Sequence, residues 1–117
     1  MTRGDIVLVD LESVRGSEAD KRRPAVIVSH DALNAIVTRR RQGVLTVVPL
    51  STNVARVWSF QVHLPAEVTG LAKDSKAQAE QVRALTYERF APSRIASLPP
   101  AYVARLDAAL RLHLALG

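Results

Sequence analysis

The sequence predicts a small α+β domain that is mainly β, in which a strongly bent sheet or barrel carries short helices and a C-terminal helix. Short apolar runs, rich in β-branched residues and too short for helices, recur along the first 98 residues. The last segment changes to apolar residues at helical spacing. The length of 117 residues fits a single domain over 1–117. Strands followed by a terminal helix favour one curved sheet packed against helices.

Three apolar runs predict the first three strands. Ile6–Leu11 is almost continuously apolar, as expected for a central strand. Pro24–Ser29 forms the second strand, with its proline at the first position because proline cannot donate a ladder hydrogen bond. Val44–Leu50 forms the third strand, and we expect Pro49 to end it or to push it to an edge of the sheet.

Three further segments have strand-like patterns. Trp58–Leu64 alternates apolar residues with Ser, Gln and His, which predicts a half-buried strand with its tryptophan on the buried face. Ser75–Leu85 also alternates and is interpreted as one strand. Ile95–Leu98 predicts a last short strand.

Helical signals are few. Asp31 is a suitable N-cap for a short helix that runs to about Val37, and a turn or short helix is expected at Tyr87–Phe90. Pro99–Pro100 stands where a helix N-terminus tolerates proline. The buried stripe of this C-terminal helix is predicted to consist of Val103, Leu106, Leu110 and Leu114.

The composition narrows the function classes. The formal net charge is +5, and 13 of the 16 cationic residues are arginine, which favours either a polyanionic partner or a solvated basic surface. The absence of cysteine excludes disulfides, a thiol nucleophile and Cys-ligated metal, and the three scattered histidines predict no metal site. No apolar stretch approaches a membrane span and no secretory h-region is found, so we expect a cytoplasmic protein without a cofactor.

Three polar residues stand near the predicted strand ends. If the second and third strands are antiparallel neighbours, Arg23 and Ser51 lie side by side, with the loop that carries Glu18 above them. A guanidinium and a hydroxyl at such a place suit phosphate binding. Each residue also has a plainer interpretation. Arg23 can form a surface ion pair with Glu18 or Glu80, Ser51 can cap its own backbone, and Glu18 can be a solvated loop charge.

A set of short motifs resembles a known family. These are Arg3-Gly4-Asp5-Ile6, Gly16-Ser17-Glu18, Arg23-Pro24-Ala25-Val26, Val48-Pro49-Leu50-Ser51-Thr52-Asn53 and Ala79-Glu80-Gln81-Val82-Arg83. In this order and spacing the set is similar to MazF/PemK-type toxins of type II toxin–antitoxin modules. The resemblance implies an SH3-like β-barrel of the PemK/CcdB-like plasmid-maintenance toxin fold with short helices and a C-terminal helix.

The resemblance also implies an activity and partners. Members of this family are homodimeric, metal-independent endoribonucleases that cut single-stranded RNA at short sequences and thereby inhibit translation and growth. The 2′-hydroxyl attacks the adjacent phosphate and leaves a 2′,3′-cyclic phosphate and a 5′-hydroxyl. A cognate MazE-like antitoxin blocks the RNA groove with an acidic, disordered tail.

Residue by residue, the resemblance assigns the catalytic arginine to Arg23 and the catalytic hydroxyl to Ser51, which stands where threonine is commoner. Glu18 and Glu80 are the candidate proton acceptors, since arginine is a poor base. Some PemK-like members have Arg-x-Asp-Gln where this chain has Gln78-Ala79-Glu80-Gln81, so that version of the proton relay lacks its arginine. The implied RNA contacts are Ser17, Lys21, Arg22, Thr52, Asn53, Arg56 and Gln81.

Two alternatives stay open at this stage. One is a CcdB-like toxin that acts by binding gyrase, and the other is an inactive homologue that only binds RNA. The gyrase-binding branch lacks the Gly-Ser-Glu, Arg-Pro and Ser-Thr set and ends in Trp-Gly-Ile, whereas this chain has the set and ends in Leu-Ala-Leu-Gly.

Overall fold

The computed structural model describes residues 1–12 and 22–117. Seven strands lie in this part of the chain: β1 (Asp5–Asp10), β2 (Arg22–Ile27), β3 (Val44–Ser51), β4 (Gln61–Leu64), β5 (Ser75–Gln78), β6 (Arg83–Thr86) and β7 (Phe90–Ser97). The helices are α1 (Asp31–Arg40), α2 (Ala66–Thr69) and α3 (Pro100–His113), and 3₁₀ turns cover Ala79–Gln81 and Tyr87–Arg89.

Strand β3 is the centre of the sheet. The strand order is β4-β5-β3-β2-β1-β7, and β6 pairs with β3 off this path. One edge of β3 pairs with β2, while the other pairs first with β6, up to Val47, and then with β5, from Leu50. The expectation that Pro49 ends the strand or lies on an edge is wrong. Pro49 is tolerated inside β3 because it lies between Val47, the last residue paired with β6, and Leu50, the first residue paired with β5. On this side of β3 no ladder hydrogen bond needs the N–H that proline lacks.

The sheet is covered on both faces. Alternate residues of β1, β2 and β3 enter two different apolar clusters, for example Ile6 in one and Val7 in the other. One cluster includes Leu106 of α3, and the other includes Val37 of α1. Burial on both faces explains why these strands are continuous apolar runs in the sequence. The predicted class, a mainly β domain with short helices and a C-terminal helix, is confirmed.

Two strand predictions need correction. The strand predicted over Trp58–Leu64 begins only at Gln61, because a turn precedes it in which the Trp58 carbonyl accepts the Gln61 N–H at 2.9 Å. Trp58 is 48% exposed instead of buried. The strand predicted over Ser75–Leu85 is broken by the 3₁₀ turn at Ala79–Gln81, whose first residue enters the core beneath α3. A further strand, β7, starts five residues before the predicted Ile95.

The helices differ from prediction at their ends. His30, not Asp31, is the N-cap of α1, and its Nδ1 accepts the Leu33 N–H at 3.4 Å. Helix α1 continues past Val37 to Arg40 and ends at a left-handed residue. Leu114 follows α3 and is 50% exposed, so it does not belong to the buried stripe. None of the helices in residues 1–12 and 22–117 combines the length and the apolar character that a membrane crossing requires.

Candidate functional site

The ends of β2 and β3 bring two predicted site residues to one place. The strands are antiparallel, with Ala25 opposite Pro49. The observed pairs end there. If the same register is extended by two residues on each strand, Arg23 lies opposite Ser51. Arg23 is exposed, lies opposite Val9 on its other side, and donates from Nη1 to the carbonyl of Arg22 at 3.0 Å. The predicted antiparallel pairing of these strands is therefore confirmed.

The Ser51 hydroxyl takes part in a local turn. Its Oγ accepts the backbone N–H of Asn53 at 3.1 Å, and Asn53 Oδ1 accepts the N–H of Ala55 at 3.4 Å. Serine and asparagine commonly hold the start of a loop in this way. Because Oγ is the acceptor in this bond, the Ser51 O–H proton can still donate to an oxygen outside the strand. The capping interpretation and a role in phosphate binding are therefore compatible.

Lys76 is a charged residue of this site that the sequence analysis missed. It lies in β5 directly opposite Ser51 on one side and His63 on the other, and it is 8% exposed. Its Nζ donates to the carbonyl of Arg56 at 2.8 Å. A buried ammonium needs such a partner because its desolvation is costly. In the sequence, Lys76 stands between Ser75 and Ala77. Its burial can be recognised only when the neighbouring strands β3 and β4 are known.

The buried Gln61 and the half-buried Glu80 form a second polar pair. Gln61 Nε2 donates to Glu80 Oε2 at 2.8 Å, and Gln61 Oε1 accepts the backbone N–H of Trp58 at 3.1 Å. Glu80 Oε1 is buried and has no hydrogen-bond partner among the described residues. A buried carboxylate oxygen without a partner is costly, so Glu80 is the least satisfied acidic side chain among the described residues.

Arginines hold the chain where it leaves β1. Arg83 Nη1 donates to the Leu11 carbonyl at 3.0 Å. Arg89 Nη1 donates to the carbonyls of Asp10 and Glu12 and lies 3.9 Å from the Asp10 carboxylate. The end of the first described range is therefore fixed beside the Arg23 end of β2.

The predicted site residues are distributed over three described segments. Arg22 and Arg23 begin β2, Thr52, Asn53 and Arg56 lie in the loop after β3, and Glu80 and Gln81 lie in the 3₁₀ turn after β5. Thr52, Asn53, Arg56 and Gln81 are exposed. Ser17, Glu18 and Lys21 lie in 13–21, outside the described residues, so their predicted roles stay predictions.

Comparison with known proteins decides the family. Residues 2–114 match the family described as PemK-like, MazF-like toxin of type II toxin–antitoxin system. The chain belongs to this family. Endoribonuclease MazF9 of Mycobacterium tuberculosis is 53% identical over 114 residues, which cover 97% of this chain and 96% of that protein. The Escherichia coli K12 endoribonuclease toxin MazF is 28% identical over 97 residues, 83% of this chain and 78% of that protein.

Solved MazF structures share the fold. Mycobacterium tuberculosis toxin MazF-mt6 superposes with a TM-score of 0.77 at 21% identity, covering 97% of this chain and 98% of that one. An endoribonuclease from a mycobacterial species, solved in complex with its cognate antitoxin, gives a TM-score of 0.76 at 21% identity, covering 100% and 97%. At these identities the likeness shows the PemK fold, and the family membership rests on the sequence match.

Proposed function

We propose that this PemK/MazF family member is a single-domain endoribonuclease toxin that cleaves single-stranded RNA at specific sequences without a metal ion. The observation that carries the proposal is the antiparallel pairing of β2 with β3, whose register at Ala25 and Pro49 leads to the neighbouring strand ends that carry Arg23 and Ser51. The curated relatives named endoribonuclease support it, above all MazF9 of Mycobacterium tuberculosis at 53% identity over almost the whole chain.

In the proposed reaction the 2′-oxygen attacks the adjacent phosphorus in line with the leaving 5′-oxygen. A P–O2′ bond forms, the P–O5′ bond breaks, one proton leaves the 2′-hydroxyl and one arrives at the 5′-oxygen. The products are a 2′,3′-cyclic phosphate and a 5′-hydroxyl. Catalysis then requires that the phosphate be held and that its added negative charge be stabilised.

Arg23 and Ser51 suit these two tasks. The Arg23 guanidinium presents planar N–H donors that match two phosphate oxygens. The Ser51 O–H can donate to the same phosphate, since Oγ serves the Asn53 backbone as an acceptor. Both groups bind more strongly as charge develops on the phosphate, and this difference accelerates the reaction.

Glu80 is the candidate proton acceptor among the described residues. One of its carboxylate oxygens is bound by Gln61, and the other is buried without a described partner. A carboxylate is a better base than a guanidinium at neutral pH. Glu18 is the other candidate, because it too is a carboxylate.

Substrate and partner contacts extend the proposal. Arg22, Thr52, Asn53, Arg56 and Gln81 are proposed to contact RNA, together with Ser17 and Lys21 of the first loop. We further propose a homodimer that acts in the cytoplasm, inhibits translation and growth, and is neutralised by the acidic tail of a MazE-like antitoxin. An acidic tail can occupy the site because the same cations attract any polyanion.

The proposal is tested with purified protein and a long single-stranded RNA in excess EDTA. We expect discrete cuts with 2′,3′-cyclic phosphate ends, and a loss of at least a hundredfold in Arg23→Ala, as is typical when a donor to the transition state is removed. Arg111→Ala removes the same charge from the end of α3 and serves as the matched control. Full cleavage by Arg23→Ala, or cleavage only after a divalent ion is restored, would contradict the proposal.

A further inference from the structure

The loop between β3 and β4 presents an exposed row of stacked side chains. Trp58, the only tryptophan in the sequence, is 48% exposed. Its ring is parallel to that of Phe60 within 6°, with centroids 6.1 Å apart. The Arg56 guanidinium carbon lies over the Trp58 ring, 4.6 Å from the centroid. We call Arg56, Trp58 and Phe60 the stacked row. Tryptophan is usually well buried, so an exposed one in such a row needs a reason.

Buried polar groups hold this row in place. The Trp58 N–H donates to Gln61 Oε1 at 3.1 Å, and the Trp58 carbonyl accepts the Gln61 N–H at 2.9 Å. Gln61 is itself bound to Glu80. The Arg56 carbonyl accepts from the buried Lys76 amine at 2.8 Å. The backbone is thus anchored on both sides of the exposed ring, so the indole is presented to solvent by a fixed loop.

Lys76 relates the stacked row to Ser51. The two residues are direct partners between β5 and β3, with Cα atoms about 5 Å apart in such a pair. The Lys76 side chain then ends on the Arg56 carbonyl. The side chain of Lys76 therefore spans the distance between the strand position beside Ser51 and Arg56, the first residue of the stacked row. If an RNA phosphate lies at Ser51, this short separation brings the stacked row within reach of a neighbouring nucleotide.

The chemistry of the row favours an unpaired nucleobase. Proteins that read single-stranded RNA stack splayed bases on aromatic rings and on arginine planes. Here an indole and a guanidinium are already stacked, and the surroundings are basic through Arg56 and Lys76. A base can take the place of the guanidinium on the ring, which releases Arg56 to a phosphate.

Resting on the proposed function, we propose that Trp58 is a base-stacking, specificity-determining residue that receives an unpaired RNA base adjacent to the scissile phosphate. The base stacks on the indole, and the rigid loop fixes its position relative to Ser51. The cut site then depends on how well the base at this position stacks.

The single tryptophan makes the test direct, because intrinsic fluorescence reports from Trp58 alone. Wild-type protein is titrated with a random-sequence oligonucleotide that is 2′-O-methylated throughout and cannot be cut by 2′-attack. We expect saturable quenching. An abasic oligonucleotide of equal length and charge should bind without quenching. Equal quenching by the abasic strand, or quenching by an acidic peptide and not by RNA, would overturn the proposal.

Two variants of Trp58 separate the effect of an aromatic ring from the effect of side-chain size. Trp58→Phe keeps a ring, whereas Trp58→Leu keeps an apolar side chain without one. We expect Trp58→Leu to raise KM for RNA cleavage about tenfold, in keeping with the loss of one base stack, and to relax the base preference at one position beside the cut. Trp58→Phe should retain most activity and the preference. Leu112→Ala, which trims another exposed apolar residue, is the control.

The outcomes distinguish this inference from the proposed function. If wild-type protein cuts RNA but Trp58→Leu shows an unchanged KM and unchanged cut sites, the stacking role is wrong and the nuclease proposal stands. If wild-type protein does not cut RNA yet the oligonucleotide quenches Trp58 and the abasic strand does not, the nuclease proposal is wrong, the role of Trp58 in cut-site choice falls with it, and base stacking on Trp58 stands. Circular dichroism of each variant confirms that the comparison is between folded proteins.

Discussion

Asp5 and Lys76 are both buried charges, and both lie one strand in from an end of the sheet, Asp5 on β1 and Lys76 on β5. Their surroundings differ. Asp5 accepts from the Thr2 N–H at 2.9 Å and from Ser97 Oγ at 2.7 Å, and it lies 3.5 Å from Arg94 Nη1. Among the described residues, the Lys76 amine donates only to the Arg56 carbonyl.

The difference separates a structural charge from a charge in a candidate site. The Asp5 oxygens already accept hydrogen bonds from Thr2 and Ser97, so the Asp5 carboxylate has little capacity left to bind a ligand. Lys76 has three donors and one described acceptor, and it neighbours Ser51. Among the described residues, two buried side-chain oxygens have no hydrogen-bond partner, Glu80 Oε1 and Thr38 Oγ1 of α1. Lys76 therefore keeps hydrogen-bonding capacity beside Ser51, where an RNA is proposed to bind.

The largest effect is expected from Lys76→Met, which keeps the length of the side chain and removes its charge. We predict that RNA cleavage falls about a hundredfold, because the Arg56 carbonyl loses its donor and the loop after Ser51 is no longer fixed. The free energy of unfolding should fall by about 1 kcal/mol or less, because relief of the desolvation cost of the buried ammonium offsets the lost hydrogen bond to the Arg56 carbonyl. Parallel cleavage assays and urea denaturation measure the two effects. If the variant is much less stable but its folded fraction cleaves RNA normally, Lys76 is a structural charge like Asp5 and has no role in the site.

Asp5→Asn is predicted to have a smaller effect, which is a loss of stability and not of cleavage. An amide turns one acceptor into a donor that faces other donors, so the free energy of unfolding should fall by about 2 kcal/mol. Cleavage by the folded protein should be unchanged, because Asp5 lies away from the β2–β3 edge. Denaturation curves and single-turnover rates at neutral pH check both statements.

The same variant has a predicted pH dependence. Burial pushes the pKa of Asp5 upward, but hydrogen bonds from Thr2 and Ser97 and the charge of Arg94 outweigh it, so the pKa lies below its ordinary value. The stabilisation is therefore present above the unfolded pKa of about 3.9 and is lost as the pH falls through the folded pKa. The stability difference between wild type and Asp5→Asn should shrink on acidification below about pH 4. A constant difference down to pH 2 would show that the charge of Asp5 is not the cause.

The smallest effect is expected from Ser51→Thr. The substitution keeps the hydroxyl that accepts from Asn53 and adds a methyl group at a half-exposed strand end, where it is well tolerated. Cleavage should stay within about threefold of wild type, whereas Ser51→Ala should lose most activity because one donor to the transition state is gone. Equal rates for Ser51→Ala and wild type would remove the hydroxyl from the mechanism.

The central strands could be predicted because local pattern and final burial agree. β1, β2 and β3 are continuous apolar runs since the sheet is covered on both faces. The neighbouring ends of β2 and β3 follow from antiparallel pairing alone, which is why Arg23 and Ser51 could be associated from the sequence. The roles of these residues stay predictions until activity is measured.

The remaining features depend on contacts between distant parts of the chain. The break at Ala79–Gln81 arises because Ala79 packs beneath α3. Lys76 is buried only because β5 lies between β3 and β4. Trp58 is exposed because Gln61 turns inward to Glu80, 19 residues away in sequence. Periodicity cannot reveal such arrangements, since each is decided by a partner outside the window in which the pattern is recognised.

The ties between the two ends of the chain also have a consequence for the timing of synthesis. Asp5 binds Ser97 across 92 residues, Arg3 binds Asp107 across 104, and β1 receives its second neighbour only from β7. At roughly 5–20 residues per second of translation, β1 waits several seconds for that neighbour after it leaves the ribosome. The proposed catalytic edge of β2 and β3 is made early, but β1, against which β2 packs, is completed last. A product that is cut short before β7 therefore lacks the outer strand that pairs with β1, and premature termination yields a chain without a finished active fold.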